Sequence, residues 1–432
     1  MIMPKVLAMQ LASFPQMIPV RQKFGAGSVV DVRTRIQEGL PVVLGHVARG
    51  ARIAIAVGSR GISEIGVLAR STAEVLRALG AKPFMIPAMG SHGGGTSEGQ
   101  VALLADYGIT PESMGLEFES SMDTRVLGTT ISGNEVFCAD AAVNADGIVL
   151  INRVKPHTDF TGAVGSGLLK MMVVGLGKRN GAAAYHANAN RLGYEQALRE
   201  AAKVVLAKAP VLAGVAVIED QHHHIAEVAC LRAGDIEAQE PVLCARAGAR
   251  MPRLPLRQID LLIVDRIGKN ISGTGMDPAV IGRSIHGYSL LPMSGAQDPQ
   301  VRRLLVRGLT NESHGNAIGI GMADLTTSRL VRAVDWKVTY INSMTSLALQ
   351  GAKLPIHFET DREAIAAGLA TLALPQGAEP VVVRIADTLA LDSFELSPTA
   401  LAAVDSGSLE AVGEASEMSF DEGGSLAGLR TV

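Results

Sequence analysis

Short runs of Val, Ile and Ala alternate with amphipathic stretches along the chain. Arg52–Val57 (RIAIAV) reads as a buried strand, and Ser63–Leu79 as a helix with Ser63 and Ser71 as caps and Gly80 as its stop. Pro83–Met89 (PFMIPAM) reads as a second strand. Ser97–Tyr107 reads as a second helix, with Thr96 or Ser97 at its start and Gly108 after it. Strand–helix–strand–helix is the pattern of a parallel sheet with helices on its faces.

The same grammar returns further on. Asp146–Asn152 (DGIVLIN) predicts a strand, Gly193–Ala209 a long helix and Val211–Glu219 another strand. Ala245–Arg257, rich in Arg and Pro and poor in periodicity, reads as the approach to a domain boundary. Asp260–Val264 (DLLIV) opens a new strand. The pattern predicts a helix over Gln300–Thr310, a helix within Ile318–Val334 with a polar start at Asp324, and a late strand at Glu379–Ile385. The tail Ser406–Val432, rich in Gly, Ser and Glu, reads as partly mobile. No repeat of roughly 20–50 residues is visible. The expected fold class is α/β: two domains, 1–254 and 255–432, with mostly parallel sheets flanked by helices.

Composition narrows the function classes. The chain has 432 residues, of which 47% are hydrophobic and 19% charged, enough apolar surface to exclude long disorder. The net charge of −3 offers no basic field for a phosphate backbone, so no nucleic-acid partner is expected. No apolar run reaches the ~20 residues that cross a bilayer. The N-terminus lacks the charged start and cleavage site of a secretory signal, so no membrane partner and a cytoplasmic location are expected. Cys138, Cys230 and Cys244 are far apart and form no CxxC, which argues against a disulfide framework or a structural zinc site. The chain has 47 glycines but only 9 Phe, 5 Tyr and 1 Trp. Backbone therefore comes close to something at many positions, while few rings are present for stacking.

Ligands of open parallel sheets bind where strands end. The residues after the predicted strands include Gly58-Ser59-Arg60, Gly90-Ser91-His92-Gly93-Gly94-Gly95, Arg153-Val154-Lys155-Pro156-His157 and Asp265-Arg266-Ile267-Gly268-Lys269. His92 lies between a strand and a helix among glycines that let backbone approach a ligand; alternatively it is a solvated turn histidine. His157 follows Lys155-Pro156 and is a natural proton-exchange group near neutral pH, or else a histidine bonded to a neighbouring carbonyl. Lys170 is the one charge in an apolar stretch from Phe160 to Gly177. Desolvated it would be a nucleophilic amine; otherwise its stem packs and its ammonium reaches water. His186, sixteen residues on, is a possible nickel donor. Consecutive His222, His223 and His224 cannot all face one metal on a strand, because side chains alternate, and they read as a polar edge or loop.

Taken together these segments resemble the nickel-dependent lactate racemase family, which also holds other 2-hydroxy-acid racemases and epimerases, and the chain looks like a divergent member. Arg153–His157 through Lys170 is similar to the family's Glu-Pro-His segment, glycine-rich stretch and cofactor-bearing lysine. Gly319–Thr327 and Thr339-Tyr340-Ile341-Asn342 are similar to its C-terminal domain. The resemblance implies catalytic roles for His92 and His157. It implies cofactor binding by Lys170 with Ser166 and Gly167, the nickel-pincer nucleotide being attached covalently to Lys170, and nickel coordination by His186. It implies substrate-carboxylate binding by Arg60, with Lys269 in a similar role from the C-terminal domain. Residues 1–254 would then bind the cofactor and carry the catalysis, 255–432 would contribute to substrate binding, and the active site would lie in the interdomain cleft. The chain departs from the family at Val57-Gly58-Ser59-Arg60, where Asp-His-Thr-Arg is usual. It departs again at Gly167-Leu168-Leu169 before the lysine, where Gly-Gly-Arg is usual, and the His157–Lys170 spacing is longer.

The implied activity is an isomerase that inverts the alcohol carbon of a small 2-hydroxy acid, with cofactor-biosynthesis enzymes as partners. Two histidines serve because the hydroxyl points to opposite sides in the two enantiomers. The residues alone leave two other readings open. One is a Schiff-base lysine enzyme acting on keto acids; the other is a non-catalytic two-domain protein that binds carboxylates.

Overall fold

The computed structural model describes residues 14–25, 27, 30–58, 61–157, 162–285, 299–405 and 407–430. The chain divides into two compact units, one of residues 26–157 and 162–251, the other of 1–25, 158–161 and 252–432. Both are mixed α/β, with mostly parallel sheets flanked by helices. The first strand, β1 (Gln16–Gln22), belongs to the second unit.

The first unit holds β2 (Arg52–Val57), β3 (Lys82–Pro87), β4 (Thr124–Thr129), β5 (Glu135–Ala139), β6 (Gly147–Arg153), β7 (Val211–Glu219) and β8 (Ile225–Arg232). Its main sheet runs β3-β2-β6-β7-β8, parallel except for β8 at the edge, and β4-β5 form a separate hairpin. Ile53–Val57 and Gly147–Ile151 are buried along their whole length, as strands covered on both faces must be. Helices Val32–Leu44 and Ile65–Ala78 pack on each other beside this sheet. Helix starts are set by polar caps: Asp31 accepts from the Thr34 N–H, and Thr96 accepts from the Gly99 N–H at the head of helix Ser97–Asp106. Helices Lys178–Leu192 and Tyr194–Lys208 form a hairpin that turns at Gly193, whose φ of 88° suits a glycine.

The second unit adds β9 (Gln258–Val264), β10 (Gln300–Val306), β11 (Leu325–Thr327), β12 (Ile356–Phe358), β13 (Val382–Ile385), β14 (Ser393–Leu396), β15 (Leu409–Ala411) and β16 (Ser416–Glu417). The order is β12-β11-β10-β9-β13-β14-β1-β15, with β16 on β1. β12 through β13 are parallel, and β14, β1, β15 and β16 run antiparallel. β9 divides its side chains between two cores, Leu262 and Val264 on one face and Leu261 and Ile263 on the other.

The structure overturns one expectation here and narrows another. Gln300–Thr310 is not a helix: its first seven residues are β10, in parallel register with β9 from Gln300↔Gln258 to Val306↔Val264. Leu304 and Val306 feed one core and Leu305 the other, and an apolar run buried on both faces carries no period that separates strand from helix. Ile318–Val334 does hold a helix, Ser328–Ala333, but it starts at the Thr327 cap rather than at Asp324, after a 3₁₀ turn Ile320–Met322 and β11. The Asp324 carboxylate accepts the Leu304 N–H at 2.8 Å and pairs with Arg283 at 2.6 Å, which ties the segment to β10. Within 407–430 the tail is tied back to β14 and β1. Arg430 donates to Glu395 at 2.6 Å and to the Met17 carbonyl at 2.5 Å.

A buried ion network joins these strands. Arg384 pairs with Asp265 and Glu395, and Arg307 pairs with Asp265 and Asp361. Asp361 also accepts the Leu426 N–H at 2.9 Å. Burial raises its carboxyl pKa, but the hydrogen bond and charge of Arg307, the Leu426 N–H and Arg329 outweigh that and hold it below its usual value. Asp361→Ala leaves Arg307 buried with one of its two carboxylate partners. The expected loss is about 3–5 kcal/mol of unfolding free energy, read from the urea midpoint. The sign follows from the depressed pKa. The Asp361 contribution is complete above about pH 4 and is lost as pH falls through the folded-state value, a drop the Ala variant lacks.

Candidate active site

β6 ends at Arg153, whose guanidinium pairs with Glu219 at the end of neighbouring β7. Two residues later Lys155 and Ser166 exchange a pair of backbone hydrogen bonds, both 2.8 Å. Gly165 lies where a Cβ would fall 2.5 Å from the His157 nitrogen and the Lys155 carbonyl oxygen, so no larger residue fits this closure. Past the bridge the chain enters a short turn, Leu168–Lys170, that continues into a π-helical stretch, Met171–Gly175. Leu168 and Leu169 are fully buried and leave Lys170 as the half-buried member of the turn.

This path brings His157 Nε2 within 2.5 Å of Lys170 Nζ. With Lys170 as an ammonium, which only donates, Nε2 would be the accepting ring nitrogen and the ring proton would sit on Nδ1. Buried Tyr194 stacks on His157, with centroids 6.3 Å apart and planes 22° apart. Tyr185 meets Tyr194 edge-on at 6.3 Å, and the His186 ring lies 5.3 Å from Tyr185. Tyr194 and Tyr185 thus form an aromatic path from His157 to His186 on helix Lys178–Leu192. Among the described residues no three His, Cys, Asp or Glu side chains gather as a metal's ligand set.

His92 is exposed in the loop after β3, and its carbonyl accepts the Gly95 N–H at 3.1 Å. The loop is docked on the stretch that follows Lys170. Gly90 N–H donates to the Gly175 carbonyl at 3.2 Å. Gln100 Nε2 donates to the carbonyls of Gly90, at 2.9 Å, and His92, at 3.4 Å. Gln100 Oε1 in turn accepts from Lys178 Nζ at 3.1 Å, and Lys178 also donates to the Pro87 carbonyl at 2.6 Å. Lys178 is fully buried and sits at φ 53°, a left-handed backbone that points its side chain inward. Burial pushes the nearby Cys138 thiol up to about 12, which makes it an inert core group.

The remaining sequence candidates fall elsewhere. Arg60 lies outside the described residues. Lys269 belongs to the second unit; it is exposed, and its Nζ donates to the Gly273 carbonyl at 2.8 Å. Ser166 and Gly167 are buried beside Lys170, Ser166 in the backbone bridge and Gly167 against the Glu240 carboxylate. His222–His224 form the turn between β7 and β8. Asp220 Oδ1 accepts the N–H groups of His222 and His224, whose rings stack 6.1 Å apart. Lys178, Gln100, Tyr194 and Glu240 have no signal in the sequence. Each reads as an ordinary polar or aromatic residue of an amphipathic stretch until long-range packing buries it.

Burial pushes the Lys178 ammonium down to about 8. Between that value and the usual ~10.4 the unfolded chain holds the extra proton, so wild-type stability should rise with pH across this window. The rise should approach ~1.4 kcal/mol per pH unit. Lys178→Met, which keeps the stem and loses the charge, should show a flat profile there by urea unfolding.

No protein-family model matches the chain, and no curated protein does. Among solved structures, the lactate racemase apoprotein from Thermoanaerobacterium thermosaccharolyticum is similar over 86% of this chain and 88% of that one, at 14% sequence identity and a TM-score of 0.45.

Proposed function

We propose that the chain is a racemase or epimerase that inverts the alcohol carbon of a small 2-hydroxy acid. The observation that supports this reading is the 2.5 Å contact between His157 Nε2 and Lys170 Nζ. It sets a proton-transfer group against an amine in the very segment that resembles the nickel-dependent lactate racemase family.

The donor set suits the nickel-pincer nucleotide of that family. Lys170 offers one half-buried amine for attachment and His186 one imidazole, which is what a cofactor with its own chelating atoms requires. When bound, that group supplies the acceptor and donor for the hydrogen on the alcohol carbon, chemistry that side chains lack. The chain's own residues do the rest. Joined to the cofactor as a thioamide, the Lys170 nitrogen would bring no positive charge to His157, and Nε2 would take the substrate hydroxyl proton. His92 takes the same role for the other enantiomer. Arg60 holds the substrate carboxylate through paired charge-assisted bonds. The enzymes that make the cofactor are the partners this reading requires.

The test is the intact mass of protein co-produced with cofactor-making enzymes, followed by chiral chromatography over a panel of 2-hydroxy acids. An adduct on Lys170 is expected, with inversion of one acid. Lys170→Ala should lose both, and His157→Gln should keep the adduct and turn over about 10²–10⁴-fold more slowly. Full activity in Lys170→Ala, or a loaded protein that inverts no acid, overturns the reading. Borohydride trapping with a keto acid tests the Schiff-base alternative, since only an imine is reduced to a stable adduct.

A further inference from the structure

Lys170 needs support that its own turn does not provide. The residue that starts the turn, Gly167, has no side chain to cap the free N–H groups that follow it. The acceptor comes instead from a helix about 70 residues on. Glu240, on helix Ile236–Arg250, is completely buried. Its Oε2 accepts the Leu169 N–H at 3.0 Å. Its Oε1 has no hydrogen-bond partner and lies 2.4 Å from where a Gly167 Cβ would stand. Glycine at 167 and a carboxylate at 240 are therefore one fitted pair. Asn152 holds the same turn from the sheet side, donating to the Gly167 carbonyl at 2.7 Å.

We infer that Glu240 is a positioning residue, which caps the turn carrying Lys170 and so keeps the Lys170 amine against His157. The inference rests on the reading of Lys170 as the reacting amine. A buried carboxylate with one oxygen unpartnered is expensive for a protein to keep, and removing it would be neutral if it only filled space. Its location gives the reason for keeping it: it accepts the N–H of Leu169, the residue just before Lys170. Burial pushes the Glu240 carboxyl up to about 7, against the opposing pull of the Leu169 and Leu168 N–H groups and the Arg199 charge. In either protonation form the group keeps an oxygen that can accept the Leu169 N–H.

The experiment is competitive acetylation of the full chain with trace acetic anhydride from about pH 6 to 10, read at each lysine by peptide mass spectrometry. Exposed Lys208 on helix Tyr194–Lys208 is the internal reference. Wild-type Lys170 should give a profile distinct from Lys208, because His157 holds its amine. In Glu240→Ala the turn loses its acceptor, and the Lys170 profile should move onto that of Lys208. Glu240→Gln, whose amide oxygen accepts the same N–H groups, should retain the wild-type profile. Gly167→Ala displaces the carboxylate from the other side and should act as Glu240→Ala does, which keeps the test sound if that variant does not fold. A wild-type Lys170 profile in a folded Glu240→Ala or Gly167→Ala protein overturns the inference, as does an equal shift in the Gln and Ala variants. If wild-type Lys170 already labels like Lys208, the reading of Lys170 as a special amine fails, and this inference fails with it.

Discussion

Two hydrogen bonds between the backbones of Lys155 and Ser166 decide what the first unit's sheet can do. β6 delivers its chain at the edge where ligands of parallel sheets bind, and nothing in β6 itself would return that chain to the same place. The bridge does so. It pins the foot of a loop so that residues thirteen apart, His157 and Lys170, meet at hydrogen-bond distance. The glycine beside the bridge, the asparagine on β6 and the glutamate under the turn all serve one geometry. Each removes a way in which the Lys170 turn could shift.

A second set of contacts extends this geometry to the loop of His92. That loop is built of glycines with positive φ and has little stiffness of its own. It is held through backbone carbonyls, by Gln100 from its own helix and by Gly175 from the stretch after Lys170. Lys178 is the far anchor of this arrangement. A lysine held in the left-handed region is strained by the order of a kcal/mol. It persists because its buried ammonium closes the network at Pro87 and Gln100.

Much of the first unit was legible in the sequence because its central strands are pure apolar runs. Arg52–Val57 is found as expected, and the helix at Ser97 starts where Thr96 predicts. The second unit was harder for a physical reason. The last three residues of β10 and all of β11 are buried, and their neighbours are set by acids that reach across the sheet, as Asp324 does. No local period encodes such a contact. At the site the pattern is similar. His157 and Lys170 stand out as polar residues among glycines and apolar side chains, and the structure brings them together. Glu240 and Lys178 look like surface residues in sequence, because their burial depends on partners far along the chain.

The position of β1 has a consequence for how the molecule is made. Its neighbours in the sheet, β14 and β15, are nearly the whole chain away, as the pairing of Ile18 with Leu396 records. A ribosome adding about 5–20 residues per second releases this strand tens of seconds before its partners exist. Throughout that time the first unit, encoded between the two halves of the second, can close on its own sheet. The nascent N-terminal strand must stay unpaired until the final strands emerge. Its backbone is an open edge in that interval, and residues on it such as Arg21 and Gln22 are of the polar kind that discourages premature pairing.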